Sequence, residues 1–444
     1  MSKYASESGE IVMTITGESL ITRPVSIYTE PEFTQLRELI RSADAAYTHI
    51  EMLFHDYEHP PETNELDPSF AVNKTALRAA PSIIKELQWL GLNITSNANN
   101  HSWDFGPGGL LTSKRHLDEH GLVNAGAGRN RAEAHAPAFL DTRAGRVGIV
   151  ACTDCGPAQS RPGDQRRDMI GRPGVMWLRP WAEYSVDVAT FETLRLMASR
   201  IGNQDSHKQP FFQRFEKDSD SVFHLGGQPM YTPYPVTRYV RGDDFSFRRT
   251  ADPDDLRAIV RQVDIAKRSA DWVILSIHTH EGGVLPEESG GHFVEAAHEA
   301  IDAGADIVVG HGPHRDRGIE LYQGKPILHS LGYLFHQAET VPLQPQDSYD
   351  LAGLGWDSDA VDYYDMRKPV RYDSSIVRAR ITSDGLKLEV FPIELSNNGR
   401  RSTHGRPMLA TGEDADRILG EMARMSAALG TEMTIAGDCG VIQL

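Results

Sequence analysis

The sequence predicts a layered α/β fold. Short apolar runs of strand length alternate with segments of helical periodicity along much of the 444-residue chain, a pattern typical of sheets covered by helices. Polar residues follow several of these runs directly, where an α/β sheet presents its ligands. Asp384-Gly385 lies between two further apolar runs and predicts an antiparallel hairpin. Strand–helix units beside a hairpin predict one mixed sheet, or two.

The strands are predicted from the short apolar runs. Those before the hairpin are Glu10–Thr16, Ala46–Met52, Asn93–Asn97, Arg146–Ala151, Trp272–His278, Asp306–Gly310 and Pro326–His329. The hairpin is predicted to pair Ser375–Thr382 with Leu386–Ile393, since Asp-Gly favours a tight turn between strands.

The helices are predicted from apolar residues at spacings of three and four. They are Glu32–Ser42, Thr75–Leu90, Leu110–His120, Asp254–Arg268 and Phe293–Ala303. Asp252 followed by Pro253 is a favourable start for the fourth helix, because Asp caps a first turn and Pro suits its first position. Residues Gly412–Leu444 predict one amphipathic helix followed by a short strand or tail.

Two aromatic-rich stretches interrupt this alternation, at residues 156–250 and 339–372. Loops this long without regular structure are usually functional lids or disordered, and the aromatic content opposes disorder. We therefore expect both insertions to form a cap over the active face. The predicted organisation is a single domain over residues 1–400 that carries the insertions, with residues 401–444 forming a C-terminal helix and tail packed on it.

Composition excludes several kinds of partner. The chain has 45 Lys+Arg and 62 Asp+Glu, a net charge of −17, and this field repels nucleic acid and anionic membrane surfaces. The N-terminal residues contain no apolar run of signal-peptide length, and no stretch of the sequence approaches a membrane span. The sequence predicts a cytoplasmic protein with a small-molecule substrate, no nucleic-acid partner and no membrane partner. Homo-oligomer formation stays open.

Cysteine usage argues against a disulfide framework. The three cysteines are Cys152, Cys155 and Cys439, an odd number in a long chain. Cys152 and Cys155 form a C-x-x-C motif, but two further ligands at zinc-knuckle spacing are missing. We interpret the pair as reduced thiols at the end of a strand.

The polar residues after the predicted strands favour a metal centre. They occur in the segments Gly17–Ser19, His49–Glu51, Asn97–Gly106, His278–Gly283 and Gly310–His314. A lone histidine is more often a structural residue, but imidazoles and carboxylates from several strand ends are what zinc, manganese or iron requires. Gly312 and Pro313 keep the backbone tight, so that His311 and His314 can face one place.

At these segments the sequence resembles a known family. The segments ITGESL, THIEM, ITSNANNHSWDFGPGGLLTSKRHLDEHGLVNAGAG, VILSIHTHEGG and ADIVVGHGPHRDRGIELYQGKPILHSLGYLF are similar to those of the poly-γ-glutamate capsule proteins of the CapA type. That family's fold belongs with the calcineurin-like metallophosphoesterases. The resemblance covers residues 11–130 and 270–336 and implies a four-layer α/β/β/α sandwich with a two-metal site between its sheets.

The resemblance also implies roles for individual residues. By motif position, the implied metal ligands are Glu18, Glu51, Asn100, His278, His311 and His314. Glu51 would bridge the ions, and His101 would be the catalytic general acid or a donor to the transition state.

Several positions depart from the family's pattern. Glu18 stands where the family usually has Asp, and His49 where it usually has Asn. His280 and Glu281 stand where the family has Gly and another residue. The residues His49, His280 and Glu281 are therefore predicted as additional metal or substrate contacts. The resemblance implies bound divalent ions. Whether there is one ion or two, and whether the metal is Mn, Zn or Fe, remains open.

The predicted function is that of a metal-dependent hydrolase, in which metal-activated water attacks a small amide or ester. The arginine-rich part of the first insertion (Arg161, Arg166, Arg167, Arg172 and Arg179) could select a γ-glutamyl-like carboxylate, and Trp177, Trp181 and Trp356 could form an apolar wall. Two alternatives stay open, a phosphoesterase of the same fold and a non-catalytic capsule-assembly or ligand-binding protein. Many capsule proteins of this family are tethered to the membrane, and the expected lack of a tether here weakens the assembly role.

Overall fold

Two mixed β-sheets pack face to face, and helices cover the outer face of each. A computed structural model describes residues 9–62, 75–200, 219–224, 238–283, 285–359, 361–362, 372–395, 400 and 402–444.

The strands of the described residues are β1 (Ile11–Leu20), β2 (Ala45–Ile50), β3 (Leu53–Phe54), β4 (Arg78–Ala79), β5 (Ile94–Ser96), β6 (Val123–Ala125), β7 (Ala127–Gly128), β8 (Ala138–Asp141), β9 (Arg146–Thr153), β10 (Gly174–Val175), β11 (Pro180–Val186), β12 (Val222–His224), β13 (Arg238–Arg241), β14 (Ser246–Ala251), β15 (Trp272–His278), β16 (Ile307–His311), β17 (Asp316–Tyr322), β18 (Lys325–Leu331), β19 (Tyr333–His336), β20 (Tyr372–Thr382), β21 (Gly385–Leu395), β22 (Pro407–Leu409), β23 (Thr434–Ile435) and β24 (Gly440–Gln443). Their α-helices are α1 (Pro31–Arg41), α2 (Ile84–Leu90), α3 (Gly106–Glu119), α4 (Arg131–His135), α5 (Val188–Arg200), α6 (Pro253–Lys267), α7 (Gly291–Asp302), α8 (Gln346–Leu351) and α9 (Glu413–Ala428).

The larger sheet has the strand order β23-β24-β21-β20-β1-β2-β5-β6, with β19 paired to β1 and β22 paired to β21. Strands β1, β2, β5 and β6 run parallel, whereas β20 runs antiparallel to β1. The predicted hairpin is confirmed, because β20 and β21 pair from Tyr372 opposite Leu395 to Thr382 opposite Gly385. The smaller sheet has the order β17-β18-β16-β15-β9-β8, and its four inner strands are parallel.

Three apolar cores separate four layers. The core between the sheets contains Ile15 and Ile274. On the far side of the larger sheet, Phe33 of α1 and Leu87 of α2 belong to a second core. On the far side of the smaller sheet, Ile259 of α6 packs with neighbours in a third core. Successive residues of β15 enter different cores, as the alternation of side chains along a strand requires. The predicted α/β/β/α sandwich is therefore confirmed.

The C-terminal helix α9 closes one end of the sandwich. Leu419 and Met422 of this helix lie in the core between the sheets, and the Ser426 hydroxyl accepts a hydrogen bond from the Ile319 N–H on β17. No helix in the described part of the chain combines the length and the apolar character needed to cross a bilayer.

The first insertion contains more regular structure than the sequence predicts. Strands β11 to β14 form a four-stranded sheet in the order β12-β13-β11-β14, so the expectation of few strands there was wrong. The pattern is hidden because charged residues lie on these strands. Buried Glu183 of β11, for example, pairs with Arg238 and Arg248 on the neighbouring strands. The cap itself stays a prediction, because residues 201–218, 225–237 and 363–371 lie outside the described residues.

The predicted helix Thr75–Leu90 was wrong over its first half. The α-helix begins at Ile84 after a 3-10 turn at Pro81–Ile83, and Ala80 is extended with ψ of 142°. Proline at 81 disfavours a helical conformation for the residue before it. The other four predicted helices agree with α1, α3, α6 and α7 to within a few residues.

Candidate metal centre

The candidate site lies where parallel strands of both sheets end. Glu18 of β1 is in register with His49 of β2 in the larger sheet. In the smaller sheet His278 of β15 is in register with His311 of β16. Because the carboxyl ends of these strands face each other across the sandwich, residues distant in sequence meet in one buried place.

One group of ligand atoms, here called the Asn100 cluster, comprises Asn100, His278, His280 and Glu51. The Asn100 Oδ1 lies 2.9 Å from His278 Nε2 and 3.4 Å from His280 Nε2, and the two imidazole nitrogens are 3.2 Å apart. Glu51 Oε1 lies 3.7 Å and 3.9 Å from the same nitrogens. Atoms that each lie about 2.1 Å from one cation are spaced by roughly 3–3.5 Å, so the residues present fit a metal ion.

A second group, here called the Glu18 cluster, comprises Glu18, His278 and His314. His314 Nδ1 is 2.8 Å from Glu18 Oε2, and His278 Nδ1 is 3.2 Å from Glu18 Oε1. The Gly312 N–H donates to Glu18 Oε1 at 2.5 Å. Burial opposes the charge of Glu18, but His314 and His278 outweigh it and hold the pKa of this carboxyl well below its usual range.

Glu51 of the Asn100 cluster also faces the Glu18 cluster, and none of the described residues donates a hydrogen bond to it. Both of its oxygens are buried without a hydrogen-bond partner, while Oε1 faces the Asn100 cluster and Oε2 is 4.0 Å from His314 Nδ1. Burial, then the charges of Glu18 and Asp104, raise the pKa of Glu51 well above its usual range. A buried carboxylate without donors requires a cation to be stable as an anion, which is what the predicted bridging role supplies.

The imidazoles are in the form that binds metal. Burial is the main cause that lowers the pKa of His278, and it lowers the pKa of His49 and His280 further. Burial also lowers the pKa of His311 to about 3. These rings are neutral near pH 7, and a neutral imidazole is the metal ligand.

His49 and His311 lie beside the clusters and contact protein groups. His311 Nε2 is 2.8 Å from the Tyr47 hydroxyl, and its Nδ1 is buried without a partner. His49 Nδ1 is 2.7 Å from Ser96 Oγ, and its ring stacks between those of His278 and His311. His49 shares a possible metal-binding group with Glu18 and His278. The roles predicted for His49 and His311 as ligands stay predictions.

His101 is held by an acidic partner. Its Nδ1 lies 2.7 Å from Asp104 Oδ2, and the same oxygen accepts the Leu77 N–H at 2.6 Å. Asn99 caps this turn, since its side chain accepts the His101 N–H at 3.0 Å. The sequence analysis missed Asp104, which the His-x-x-Asp spacing within one turn could have indicated.

Comparison with known proteins decides the family. A family model described as bacterial capsule synthesis protein PGA_cap matches residues 8–337. The chain belongs to this family. An uncharacterized protein of Sinorhizobium fredii is 32% identical over 97% of this chain and 93% of its own length. A probable polyglutamine synthesis accessory protein of Mycobacterium tuberculosis is 27% identical over 60% of this chain and 51% of its own length.

A shorter likeness agrees with this assignment. The PGA biosynthesis protein CapA of Bacillus subtilis is 33% identical over 23% of this chain and 27% of its own length. Among solved structures, the NAD nucleotidase of Haemophilus influenzae is 10% identical with a TM-score of 0.30, covering 94% of this chain and 63% of that chain. The resemblance to the CapA-type capsule proteins is thus confirmed, and both clusters of this PGA_cap protein lie inside the matched region.

The two residues that depart from the PGA_cap pattern after β15 have different surroundings. His280 belongs to the Asn100 cluster, and its predicted role as a metal or substrate contact stays a prediction. Glu281 is instead engaged by the first insertion, because its Oε2 lies 2.5 Å from Arg249 Nη2 of β14, and Arg249 also donates to the Gly282 carbonyl. The role predicted for Glu281 as a metal or substrate contact stays a prediction, and the sequence could not show the partner 32 residues away.

The aromatic and basic residues of the insertions also have partners of their own. Trp177 is buried against Trp103, and Trp356 is 85% exposed, so neither forms an open apolar wall. Arg179 pairs with Asp252 and Asp255, and other insertion arginines pair likewise, for example Arg166 with Asp168. These pairs occupy two of the five guanidinium groups that the sequence offered for substrate, those of Arg166 and Arg179.

Proposed function

We propose that this PGA_cap protein is a metal-dependent hydrolase acting on a small amide or ester, with a γ-glutamyl-like amide as the favoured substrate. The observation that carries the proposal is the convergence of Asn100, His278 and His280 on the unpartnered carboxylate of Glu51. Neutral nitrogen and carboxylate or amide oxygen are ligands that Zn, Mn and Fe accept. The Glu18 cluster would hold a second ion through Glu18, His314 and the shared Glu51, because a neutral His278 imidazole has one free nitrogen and would bind only one ion.

The protein's own residues supply positioning and a proton. When bound, divalent ions provide Lewis acidity that activates water and polarises the bond to be cleaved. Asp104 lies 2.7 Å from Nδ1 of His101 and holds the ring in one orientation. The proton at Nε2 of His101 is then the one that passes to the leaving group.

The exposure of the side chains at the centre indicates that substrate approaches it from one side. Glu18, Glu51 and His278 are almost fully buried, whereas the side chains of His280 and His314 are each 31% exposed. Solvent and substrate therefore reach the clusters past these two imidazoles.

The substrate class rests on the names of relatives and on charge. Relatives are named for polyglutamine synthesis and PGA biosynthesis, which favours a glutamyl amide. A net charge of −17 disfavours a long anionic polymer, so we favour a short substrate. Phosphoester hydrolysis is the alternative reaction at the same centre.

A panel of substrates tests this proposal. Protein loaded with Mn, Zn or Fe(II) would be assayed with γ-glutamyl anilides, neutral anilides, esters and phosphoesters of the same chromophore. We expect turnover of amides or esters, with the γ-glutamyl compound preferred, and loss of turnover in Asn100→Ala. Turnover of phosphoesters alone would contradict the proposed amide or ester hydrolysis and favour a phosphoesterase.

A second candidate is a non-catalytic accessory role in capsule synthesis, which the printed name of the Mycobacterium tuberculosis relative favours. It predicts binding of short poly-γ-glutamate without cleavage. Calorimetry with a γ-glutamyl oligomer, followed by mass spectrometry of that oligomer, separates the two. An intact oligomer bound to metal-loaded protein would favour the accessory role.

A further inference from the structure

We propose that the thiol of Cys155 is a metal ligand together with His278 and His280, so that the Asn100 cluster is a mixed nitrogen–sulfur site. This inference rests on the proposed metal centre and specifies which ion the Asn100 cluster prefers. The sequence offered Cys155 only as a reduced thiol at a strand end, and its place beside these imidazoles depends on how β9 and β15 pair.

Strand pairing brings the thiol to the cluster. Thr153, the last residue of β9, is in register with His278, and Cys155 follows two residues later. The Sγ atom and one ring nitrogen each of His278 and His280 all lie within 4.8 Å of one another. No disulfide holds Cys155, which is a free cysteine.

A local turn fixes the direction of Cys155. Its N–H donates to Thr153 Oγ1 at 3.2 Å, and the Thr153 hydroxyl donates to the Cys155 carbonyl at 3.0 Å. Strand β15 is bonded to the same turn, because the Asp154 N–H donates to the His278 carbonyl at 3.0 Å. These hydrogen bonds therefore fix the backbone of Cys155 beside the strand that carries His278.

An independent observation shows that this place is built for a cation. Glu51 is 1% exposed, and neither of its carboxylate oxygens has a hydrogen-bond partner. Its Oε1 faces Nε2 of His278 and Nε2 of His280, and these are the two residues that Cys155 approaches. An ion bound by these nitrogens would compensate the buried carboxylate.

Sulfur in the ligand set changes metal preference. Thiolate is a soft ligand that favours zinc, iron or cobalt over manganese or magnesium. On binding, the S–H bond breaks, the sulfur donates its electron pair to the ion, and the proton is released to solvent. The Glu18 cluster has no sulfur among its members, so the two positions would differ in the ions they prefer.

Cobalt(II) provides a spectroscopic test that does not depend on activity. Metal-free full-length protein would be titrated with Co(II), and we expect a near-ultraviolet sulfur-to-cobalt charge-transfer band in the wild type and in Cys152→Ser. Cys152 is the matched control because it is a buried cysteine on β9, the strand that leads into Cys155. In Cys155→Ser the band should be absent, and zinc affinity should fall by about tenfold or more while manganese affinity changes little.

A second measurement on the wild type avoids any question of misfolding. Bound zinc should slow alkylation of Cys155, mapped by mass spectrometry, but should leave the rate at Cys439 unchanged. A charge-transfer band that survives in Cys155→Ser, or alkylation of Cys155 that zinc does not slow, would overturn the inference and leave the metal centre standing. Wild-type protein that binds neither cobalt nor zinc would overturn the proposed function itself.

Discussion

Neighbouring residues of the candidate centre are held for different tasks. Asn100 points its amide oxygen at two imidazoles, whereas His101 pairs with Asp104. The short 3-10 turn at Asn100–Trp103 separates the two directions. Adjacent residues can therefore serve binding and proton transfer separately.

This separation predicts different losses in two variants. His280→Ala removes a nitrogen from the Asn100 cluster, so bound metal and turnover should fall together. His101→Ala should keep its metal and lose roughly 10²–10⁴-fold in turnover, the range usual for a general acid. Metal content by mass spectrometry and kcat on the best substrate check both.

Glu281→Ala is the matched control, because Glu281 follows His280 but pairs with Arg249. It should retain metal. Equal metal loss in His101→Ala and His280→Ala would remove the proposed acid role, and metal loss in Glu281→Ala would restore that residue as a ligand.

Asp316 predicts a pH dependence of stability. Its Oδ2 accepts the Ser375 hydroxyl at 2.5 Å while Oδ1 is buried without a partner, and burial is the main cause that raises its pKa to about 8. An unfolded Asp has a pKa of about 3.9. Between these values the folded chain keeps a proton that the unfolded chain loses, so the free energy of unfolding falls by at most about 1.4 kcal/mol per pH unit as pH rises.

Asp316→Asn should abolish this contribution. Relative to wild type, the variant should gain stability steadily from about pH 5 to about pH 8 in urea denaturation. Asp384→Asn, in the exposed hairpin turn, is the control and should show no such trend. A difference between Asp316→Asn and wild type that is constant with pH would contradict the raised pKa.

At the scale of elements, an irregularity in β1 aims Glu18. The register of β1 shifts against β2 between Ile15 and Glu18, and against β19 between Glu18 and Ser19. Such bulges re-aim side chains beside functional sites. The Glu18 N–H donates to the Gly332 carbonyl at 2.9 Å, which fixes the strand where the ligand leaves it.

The backbone of Gly332 lies so close to Gly17 that we expect position 17 to tolerate no side chain. A Cβ at Gly17 would lie 2.2 Å from the Gly332 oxygen and 2.6 Å from its carbon. Gly17→Ala should lose about 1–3 kcal/mol of stability and weaken metal binding, because β1 must move where Glu18 begins. Chemical denaturation and metal titration measure the two effects.

Gly420→Ala is the control for Gly17→Ala. Gly420 lies within α9 and a Cβ there meets nothing within 4 Å. Alanine is favoured over glycine inside a helix by about 0.5–1 kcal/mol, so this variant should gain stability and keep its metal. A Gly17→Ala protein as stable as wild type would contradict the account of β1.

At the scale of the whole molecule, the centre joins the two sheets. Glu18 lies on β1 of the larger sheet, and Glu51 directly follows β2 of the same sheet. His278 lies on β15 of the smaller sheet. An ion held by these residues would crosslink the layers of the sandwich. Binding of this kind stabilises the folded state by mass action.

We expect the melting temperature to rise with zinc or manganese and to fall with chelator. At a metal concentration about one hundred times the Kd, the gain is about 2.7 kcal/mol. Asn100→Ala should show a much smaller response in the same scanning calorimetry. A wild-type melting curve that ignores both metal and chelator would argue against the centre.

The sequence by itself determined the order of the predicted strands and of most of the helices beside them, though not the strands of the first insertion, because apolar periodicity is a local property of each segment. It also placed Glu18, Asn100, His278 and His314 at strand ends, and these residues do converge. The resemblance to the capsule proteins contributed the pairing of those segments into one site.

Only the tertiary structure decided which groups face which. The pairing of Arg249 with Glu281, the position of Cys155 beside His278, and the sheet inside the first insertion all join residues far apart in sequence or on different strands. Such contacts depend on strand register and on packing between layers, and a one-residue change of register would reverse the face of every side chain. Local patterns carry no information on that choice, which is set by the burial of both sheets at once.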